Sequence, residues 1–431
     1  MLEIENSKEL RIKRGNTDWW INEKSMVGMN GMTYITYITD MGEINVKEFD
    51  AKCSRNLSRD VCLCRMNCTY ADEHNAPSIC VLESGMIIVA YTGHNVKGVR
   101  YRVTQKPYDI MSFGPEQTLE YDGTVTYVQI SENTAKNELW LFTRVNSVTW
   151  EFRYSKDNAV SWSKPHVFLK SESGGLFYFD VRKQHIPTEN GTAEQWFFAL
   201  YGHPISSKDH KIRSGIFNCN GQLLLPDKTA LDVNLYDFES LISLEKLSVI
   251  YDSPLGSVVR LLAVSPTLPL RVGLAAFEVG DENSSVYYSA SFSEDRWILS
   301  KPIVKAGAFL SATQIDGSQT YIPGMSYYYG VGETGLDSRH GGETETNRIF
   351  LARKSEEAWL LESYVSRNSG LSYVLEKVIK KISLCDNKKI WRPVVPVYAQ
   401  DNMPVYWHEG TYTAYEGGWH CDTVMFVEYD D

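Results

Sequence analysis

Two His-Asn pairs, His74-Asn75 and His94-Asn95, flank one apolar stretch from Ala76 to Gly93 whose midpoint is the turn pair Ser84-Gly85. Histidine is the side chain whose ordinary pKa lies nearest neutrality, so two imidazoles brought together make an acid/base pair. The runs Ser78–Leu82 and Met86–Tyr91 are short, rich in branched residues and bounded by turn formers, which predicts two antiparallel strands. Residues equidistant from a hairpin turn lie opposite each other. The spacing therefore sets His74 beside His94 at the open end of the hairpin.

The construction recurs twice downstream. Strands near Thr126–Ile130 and Glu138–Thr143, joined around 132–137, are expected to bring Tyr127 and Arg144 to one open end. Strands near Phe177–Gln184 and Gln195–Tyr201, joined around Glu189-Asn190-Gly191, do the same for Tyr178 and His203. If the three hairpins pack as successive units of one radial assembly, all six side chains face a common mouth.

The elements that must position them are strands. Aromatic residues make up 12% of the 431 residues, glycine occurs 30 times, and long helical periodicity is nearly absent. That pattern favours one large repetitive β architecture over several mixed domains. A net charge of −11 argues against a nucleic-acid partner and asks any polyanionic ligand to find a local basic site. No stretch reaches transmembrane length. The opening Met1–Asn6 lacks a secretory pattern, which suits a cytoplasmic chain or a trimmed secreted or periplasmic form, and leaves the compartment open. Cys62, Cys64 and Cys68 have spacing that would suit a structural zinc, with Cys53 or His420 as a fourth ligand. The same thiols read more simply as buried or surface groups in a reducing compartment.

Strand candidates follow one another with short turns from Met32–Ile38 to Val424–Val427, and no linker or charge block interrupts them. Such density suggests a sandwich, barrel or propeller. One motif favours the propeller. Ser155-Lys156-Asp157-Asn158-Ala159-Val160-Ser161-Trp162 fits the Asp-box pattern S-x-D-x-G-x-x-W of sialidase-type propellers, with alanine in place of glycine. Ser366–Tyr373 is a looser copy. Such a turn is structural: the acid bonds the turn backbone and the aromatic plugs between sheets. At roughly 50 to 65 residues per four-stranded blade, the length fits about seven blades. The expected fold is an all-β propeller with degenerate Asp-box turns, one domain over 1–431, with 1–17 as a lead-in and ring closure by strands within 404–429.

The stretches Asp72–Pro77, Tyr91–Asn95, Tyr101–Val103, Phe113–Gln117, Leu141–Arg144 and Tyr201–Pro204, with the Asp box, resemble the BNR-4 repeat family. The ends, Asp18-Trp19-Trp20 with Thr33–Ile35 and Gly410–Tyr415 with Asp422-Thr423, are similar to that family's ends. The resemblance covers nearly the whole chain, is most specific from Asp72 to Pro204, and is thin from 224 to 342. Members include ulvan lyases and rhamnose-glucuronate lyases with seven-bladed propellers. The resemblance implies β-elimination next to a uronic acid, with His74, His94, Tyr127 and Arg144 at positions used for catalysis and carboxylate binding. Tyr178, His203 and Arg213 match less closely, and Ile205 stands where a family arginine often follows Gly-His-Pro.

β-Elimination needs a cation on the uronate carboxylate, a base for the C5 proton and an acid for the leaving O4. Neutralising the carboxylate is what makes the C5 proton removable. Arg144 suits the first role because guanidinium binds carboxylates bidentately and stays charged. His74 with Tyr127 is the favoured proton-transfer pair, and His94 is a second acid/base or positioning group. Asn75 and Asn95 are candidates for substrate contact, although turn chemistry suits them better to fixing the loop backbone. The elimination requires no cofactor, and zinc or calcium would enter only as a structural ion. The expected partner is an acidic polysaccharide or oligosaccharide acted on by a monomer, with neither nucleic acid nor membrane involved. Two alternatives stand beside this reading. A sialidase-like glycoside hydrolase would fit the Asp boxes, but the early arginines Arg55 and Arg59 lack its Arg-Ile-Pro motif. A non-catalytic glycan-binding propeller would need aromatics and amides, without titratable pairs.

Overall fold

The computed structural model describes residues 7–16, 26–29, 32–39, 41–50, 58–66, 73–171, 175–189, 191–203, 209–264, 268, 270–278, 281–299, 304–305, 314–315, 326–333, 347–354, 359–364, 390–394, 405–413 and 418–427. Among them there is no α-helix, and the strands form five sheets. The first two sheets begin with β1 (Ser7–Asn16), β2 (Met26–Met29), β3 (Met32–Thr39), β4 (Glu43–Asp50) and β5 (Ser58–Arg65), then β6 (Ser78–Val81), β7 (Ile87–Tyr91), β8 (Val96–Val103), β9 (Gln117–Asn133), β10 (Glu138–Val145), β11 (Thr149–Ser155) and β12 (His166–Lys170). The third holds β13 (Phe177–Thr188), β14 (Gly191–Gly202), β15 (Lys211–Asn218), β16 (Gln222–Leu224), β17 (Ala230–Asn234) and β18 (Ser248–Asp252). The fourth holds β19 (Ser257–Val264), β20 (Arg271–Glu278), β21 (Asp281–Ser293), β22 (Arg296–Leu299) and β23 (Val304–Lys305). The fifth holds β24 (Gln314–Ile315), β25 (Ser326–Glu333), β26 (Asn347–Lys354) and β27 (Trp359–Tyr364), and β28 (Ile390–Val394), β29 (Val405–Thr413) and β30 (Gly418–Val427) return to the first.

That return joins the two ends of the described chain. β1 pairs antiparallel with β30, Ser7 opposite Val427, so the N-terminal segment supplies a strand to the sheet that also carries β28 to β30. The second sheet is two four-stranded units hinged on one long strand. β9 pairs with β8 along its first half, from Gln117 to Val125, and with β10 from Val125 to Asn133.

Apolar residues occupy both faces of these strands, which is why the runs read as continuous and not alternating. Ile79, Val81, Ile87 and Val89 pack against Tyr34, Ile38, Ile44 and Val46 of the first sheet. Their neighbours Cys80, Ile88 and Ala90 face the other way, onto Val128, Ile130, Leu139 and Leu141. On β10 the alternation repeats, with Trp140 and Phe142 turned toward Phe179, Trp196 and Phe198 of the third sheet. The Trp140 and Trp196 rings lie 4.2 Å apart. Each such side chain removed from water contributes about 1.5–3 kcal/mol, so successive sheets are fastened through shared cores. Polar ties between the leading strands add to this. The Ile130 N–H donates to Ser78 Oγ at 3.1 Å, and Gln129 donates to the Phe179 carbonyl at 3.0 Å.

The Ser155–Trp162 turn forms as its residue types dictate. Ser155 Oγ donates to Asp157 Oδ1 at 2.8 Å, and that oxygen also accepts the Ser161 N–H at 2.9 Å. Ala159 has φ +67° at the position where glycine is usual. Trp162 meets Tyr101 edge-on at 5.8 Å, packing against the second core. The second copy, 366–373, lies outside the described residues.

Candidate functional site

β6 and β7 pair with Ser78 opposite Ala90. Extending that register four positions sets residue 74 opposite residue 94. His74 sits in a single 3-10 turn, Glu73–Asn75, before β6, and His94 in the turn between β7 and β8. Their rings are stacked with centroids 4.1 Å apart and planes within 8°. His74 is half-buried and His94 exposed.

Tyr127 enters the same group through a break in the ladder. Thr143 pairs with Val128 but Arg144 pairs with Thr126, so Tyr127 is an extra residue on β9, a β-bulge. The inserted residue explains why Val125 and Val128, three apart, share one core while Tyr127 turns to the other. Tyr127 has φ +61°, a conformation that costs a non-glycine residue about 1–3 kcal/mol and clusters at functional sites. The Thr143 hydroxyl holds it there, donating to the Tyr127 carbonyl at 2.6 Å. The phenol ring lies 5.5 Å from His74 and is backed by the Trp150 indole, parallel within 6° at 6.3 Å. Trp150 is itself fixed by an indole N–H bond to the Phe177 carbonyl at 3.2 Å.

Arg144 completes the cluster. Its Cζ lies 4.5 Å from the Tyr127 ring centroid and 5.7 Å from that of Tyr178. The residue is 3% exposed, and its Nε and Nη1 have no hydrogen-bond partner among the described residues. Burying a guanidinium with unmet donors is costly, and aromatic faces return only about 0.5–2 kcal/mol. Tyr178 extends the row toward β14, with Tyr201 at 5.1 Å and His203 at 5.7 Å. His203 is placed by its backbone, whose N–H donates to the Leu176 carbonyl at 2.8 Å. The three hairpin ends foreseen in the sequence thus meet in one continuous chain of rings around one arginine.

Arg213 is built differently. It lies on β15 opposite Leu200, and its Nη1 is committed to Asp209 at 2.6 Å. Asn95 is exposed, with its amide oxygen accepting from Thr126 Oγ1 at 3.1 Å, whereas Asn75 is buried with its Oδ1 unmatched among the described residues. Sequence reasoning missed Trp150, Thr143 and Thr126. The spacing Val125, Val128, Ile130 is the signal that announces an inserted residue in a period-two pattern.

On β5, Cys62 is exposed and Cys64 is partly buried beside Tyr91. Burial pushes the Cys64 thiol up to about 11, against smaller opposing effects of the Tyr91 hydrogen bond and Arg100. Among the described residues no group of three His, Cys, Asp or Glu side chains is arranged to hold a metal ion, and Cys53 and Cys68 lie outside them.

Residues 32–183 match the model of the BNR repeat-containing family. A stretch of 117 residues is 26% identical to an ulvan lyase of Nonlabens ulvanivorans, covering 23% of this chain and 24% of that protein, so the match spans about a quarter of the relative's length. The structure superposes on that of an ulvan lyase of the polysaccharide lyase family PL25 bound to -[GlcA(1-4)Rha3S]-, with TM-score 0.65 and 12% identity over 98% of this chain and 96% of that one. A second PL25 ulvan lyase structure gives 0.64 over the same shares. Residues 32–183 are therefore similar to the BNR repeat-containing family, and the chain has an all-β fold that matches the propeller fold of ulvan lyase.

Proposed function

We propose that the protein is a polysaccharide lyase that cleaves a uronate-containing glycan by β-elimination at the cluster of His74, His94, Tyr127 and Arg144. The observation that carries this reading is Arg144: a buried guanidinium with two nitrogens unmatched among the described residues, walled by Tyr127 and Tyr178, beside a stacked histidine pair. Such a group suits a planar carboxylate, which would satisfy its donors bidentately and remove the negative charge that opposes loss of the C5 proton. In this scheme His74 takes the C5 proton and the C4–O4 bond breaks. Tyr127 gives its proton to the departing O4 and a C4=C5 double bond is left behind. His94, stacked on His74, supports or shares the proton transfer.

Tyr178 and His203 would line the adjoining part of the mouth, and a polymer with the GlcA(1-4)Rha3S unit held by the PL25 ulvan lyase is the first substrate to offer. Arg213, already neutralised by Asp209, serves this reading as a wall residue and not as the carboxylate partner. The reading also takes the fold as seven four-stranded blades and the Ser155–Trp162 turn as an Asp box, on its hydrogen bonds and plugged tryptophan. The test is ultraviolet absorbance of the 4,5-unsaturated uronate on a panel of uronate polysaccharides, beside His74→Ala. A rise that disappears in the variant supports elimination at this site. Reducing sugar released without absorbance points to hydrolysis, and retention without cleavage to a binding module.

A further inference from the structure

We propose that Thr126 is a positioning residue of this site, whose hydroxyl sets the histidine pair against Tyr127; the inference rests on the lyase reading for its kinetic consequence and on geometry alone for its structural one. Three relations converge on this side chain. Thr126 immediately precedes Tyr127, the bulged residue at φ +61°. It stands opposite Arg144 in the β9–β10 register. Its hydroxyl makes two bonds to the residue after His94, accepting from the Asn95 N–H at 2.9 Å and donating to Asn95 Oδ1 at 3.1 Å.

The two bonds form a clasp one position beyond the end of the β8–β9 ladder, whose last pair is Val96 with Val125, and carry that register into the turn that holds His94. Asn95 has φ +56°, so the turn carrying His94 doubles back sharply, and it is exposed. A turn of that kind does not hold an imidazole to within a few tenths of an ångström by itself. Thr126 is 1% exposed and lies in a paired strand, and therefore supplies the rigid half of the clasp. Through it, His94, Tyr127 and Arg144 are all referred to one backbone position.

Thr126→Val keeps the shape of the side chain and removes both bonds, while Thr126→Ser keeps the hydroxyl. In Thr126→Val the loss falls on kcat, about 10- to 100-fold, with KM within about threefold, because misplacing a reacting group by an ångström costs on that scale. Thr126→Ser stays within about threefold of the wild type. A second measurement needs no activity: stacked imidazoles shift each other's ring-proton resonances upfield, and the shift of His74 and His94 shrinks in Thr126→Val and persists in Thr126→Ser. Unchanged ring shifts in a folded Thr126→Val protein, or a Thr126→Ser protein as impaired as Thr126→Val, would overturn the proposal. If the wild type cleaves no uronate polymer the lyase reading fails, and the resonance shifts still decide whether Thr126 sets the pair.

Discussion

The hairpins of the second and third sheets are finished in opposite ways at their two ends. At the open end the chain tolerates a left-handed tyrosine, a buried arginine with donors unmatched among the described residues, and two histidines face to face. At the turn end the buried charges are engaged. Glu132 on β9 accepts the Glu83 N–H with both oxygens, at 3.0 and 2.9 Å, capping the β6–β7 turn. Glu194 on β14 likewise accepts the Thr134 N–H at 2.9 Å, capping the β9–β10 turn. Lys183 on β13 pairs with Glu194 at 2.5 Å and donates to the Glu132 carbonyl at 2.8 Å. Each acid reaches back to the preceding hairpin, so the clasps repeat from unit to unit. Satisfied polar networks fix geometry, whereas unsatisfied ones cost stability and persist where another molecule is to complete them.

The largest expected effect tests the open end. Arg144→Ala lowers kcat/KM on the responsive polymer by about a thousandfold or more, since it removes charge stabilisation at the reacting centre. Arg144→Lys recovers little, because a point charge does not replace the guanidinium fork. Neither variant loses appreciable stability in urea, because among the described residues the group removed makes no hydrogen bond through Nε or Nη1. A loss of several kcal/mol would place the open end with the turn end, as structure. His74→Ala and Tyr127→Phe come next, at about 10²- to 10⁴-fold in kcat. Tyr127→Phe keeps the ring that packs between His74 and Trp150, so melting should hardly move while turnover falls.

Much of this contrast is legible in the sequence, for a physical reason. Hairpin pairing is local, so counting from Ser84-Gly85 is enough to put His74 opposite His94, and counting from 132–137 brings Tyr127 and Arg144 to one end. Packing between units is not local. Nothing in the chain near Tyr127 says that Trp150 lies under its ring, or that Glu194 will cap a turn sixty positions earlier. Arg213 entered through the family resemblance alone, and its ion pair with Asp209 is a contact that the resemblance did not announce. The bulge was readable as a one-residue slip in an apolar pattern, but only to a reader who asked which face each valine must share.

At the turn end the expectation reverses. Lys183→Met leaves Glu194 buried without its cation, and breaking a buried pair in this way costs about 3–5 kcal/mol. The urea midpoint should fall accordingly, with kcat per folded molecule unchanged. A variant that keeps its stability but loses turnover would erase the division between the two ends.

The smallest effect is the most discriminating, because the two clasp acids respond to pH with opposite sign. Burial pushes Glu194 up, but Lys183 and the bonds from Lys183 and Thr134 outweigh it and hold the group below the ordinary carboxylate value of 4.5. Its contribution is therefore present above that value and is lost as pH falls through the lower, folded one. For Glu132, burial raises the carboxyl, and the Glu83 amide and Lys183 only partly offset it. Its favourable contribution is full below the ordinary value and is lost as pH rises through the raised one. Urea unfolding from about pH 3 to 8 should therefore show the gap between wild type and Glu194→Gln widening with pH. Glu132→Gln should behave conversely, being level with or slightly more stable than wild type at neutral pH and losing that margin in acid. The amide oxygen that Glu132→Gln introduces can still take the Glu83 N–H, so the cap survives while the charge goes. Parallel curves for the two variants would mean that the acids do not form distinct clasps, and the turn end would have to be understood as one diffuse ionic cluster.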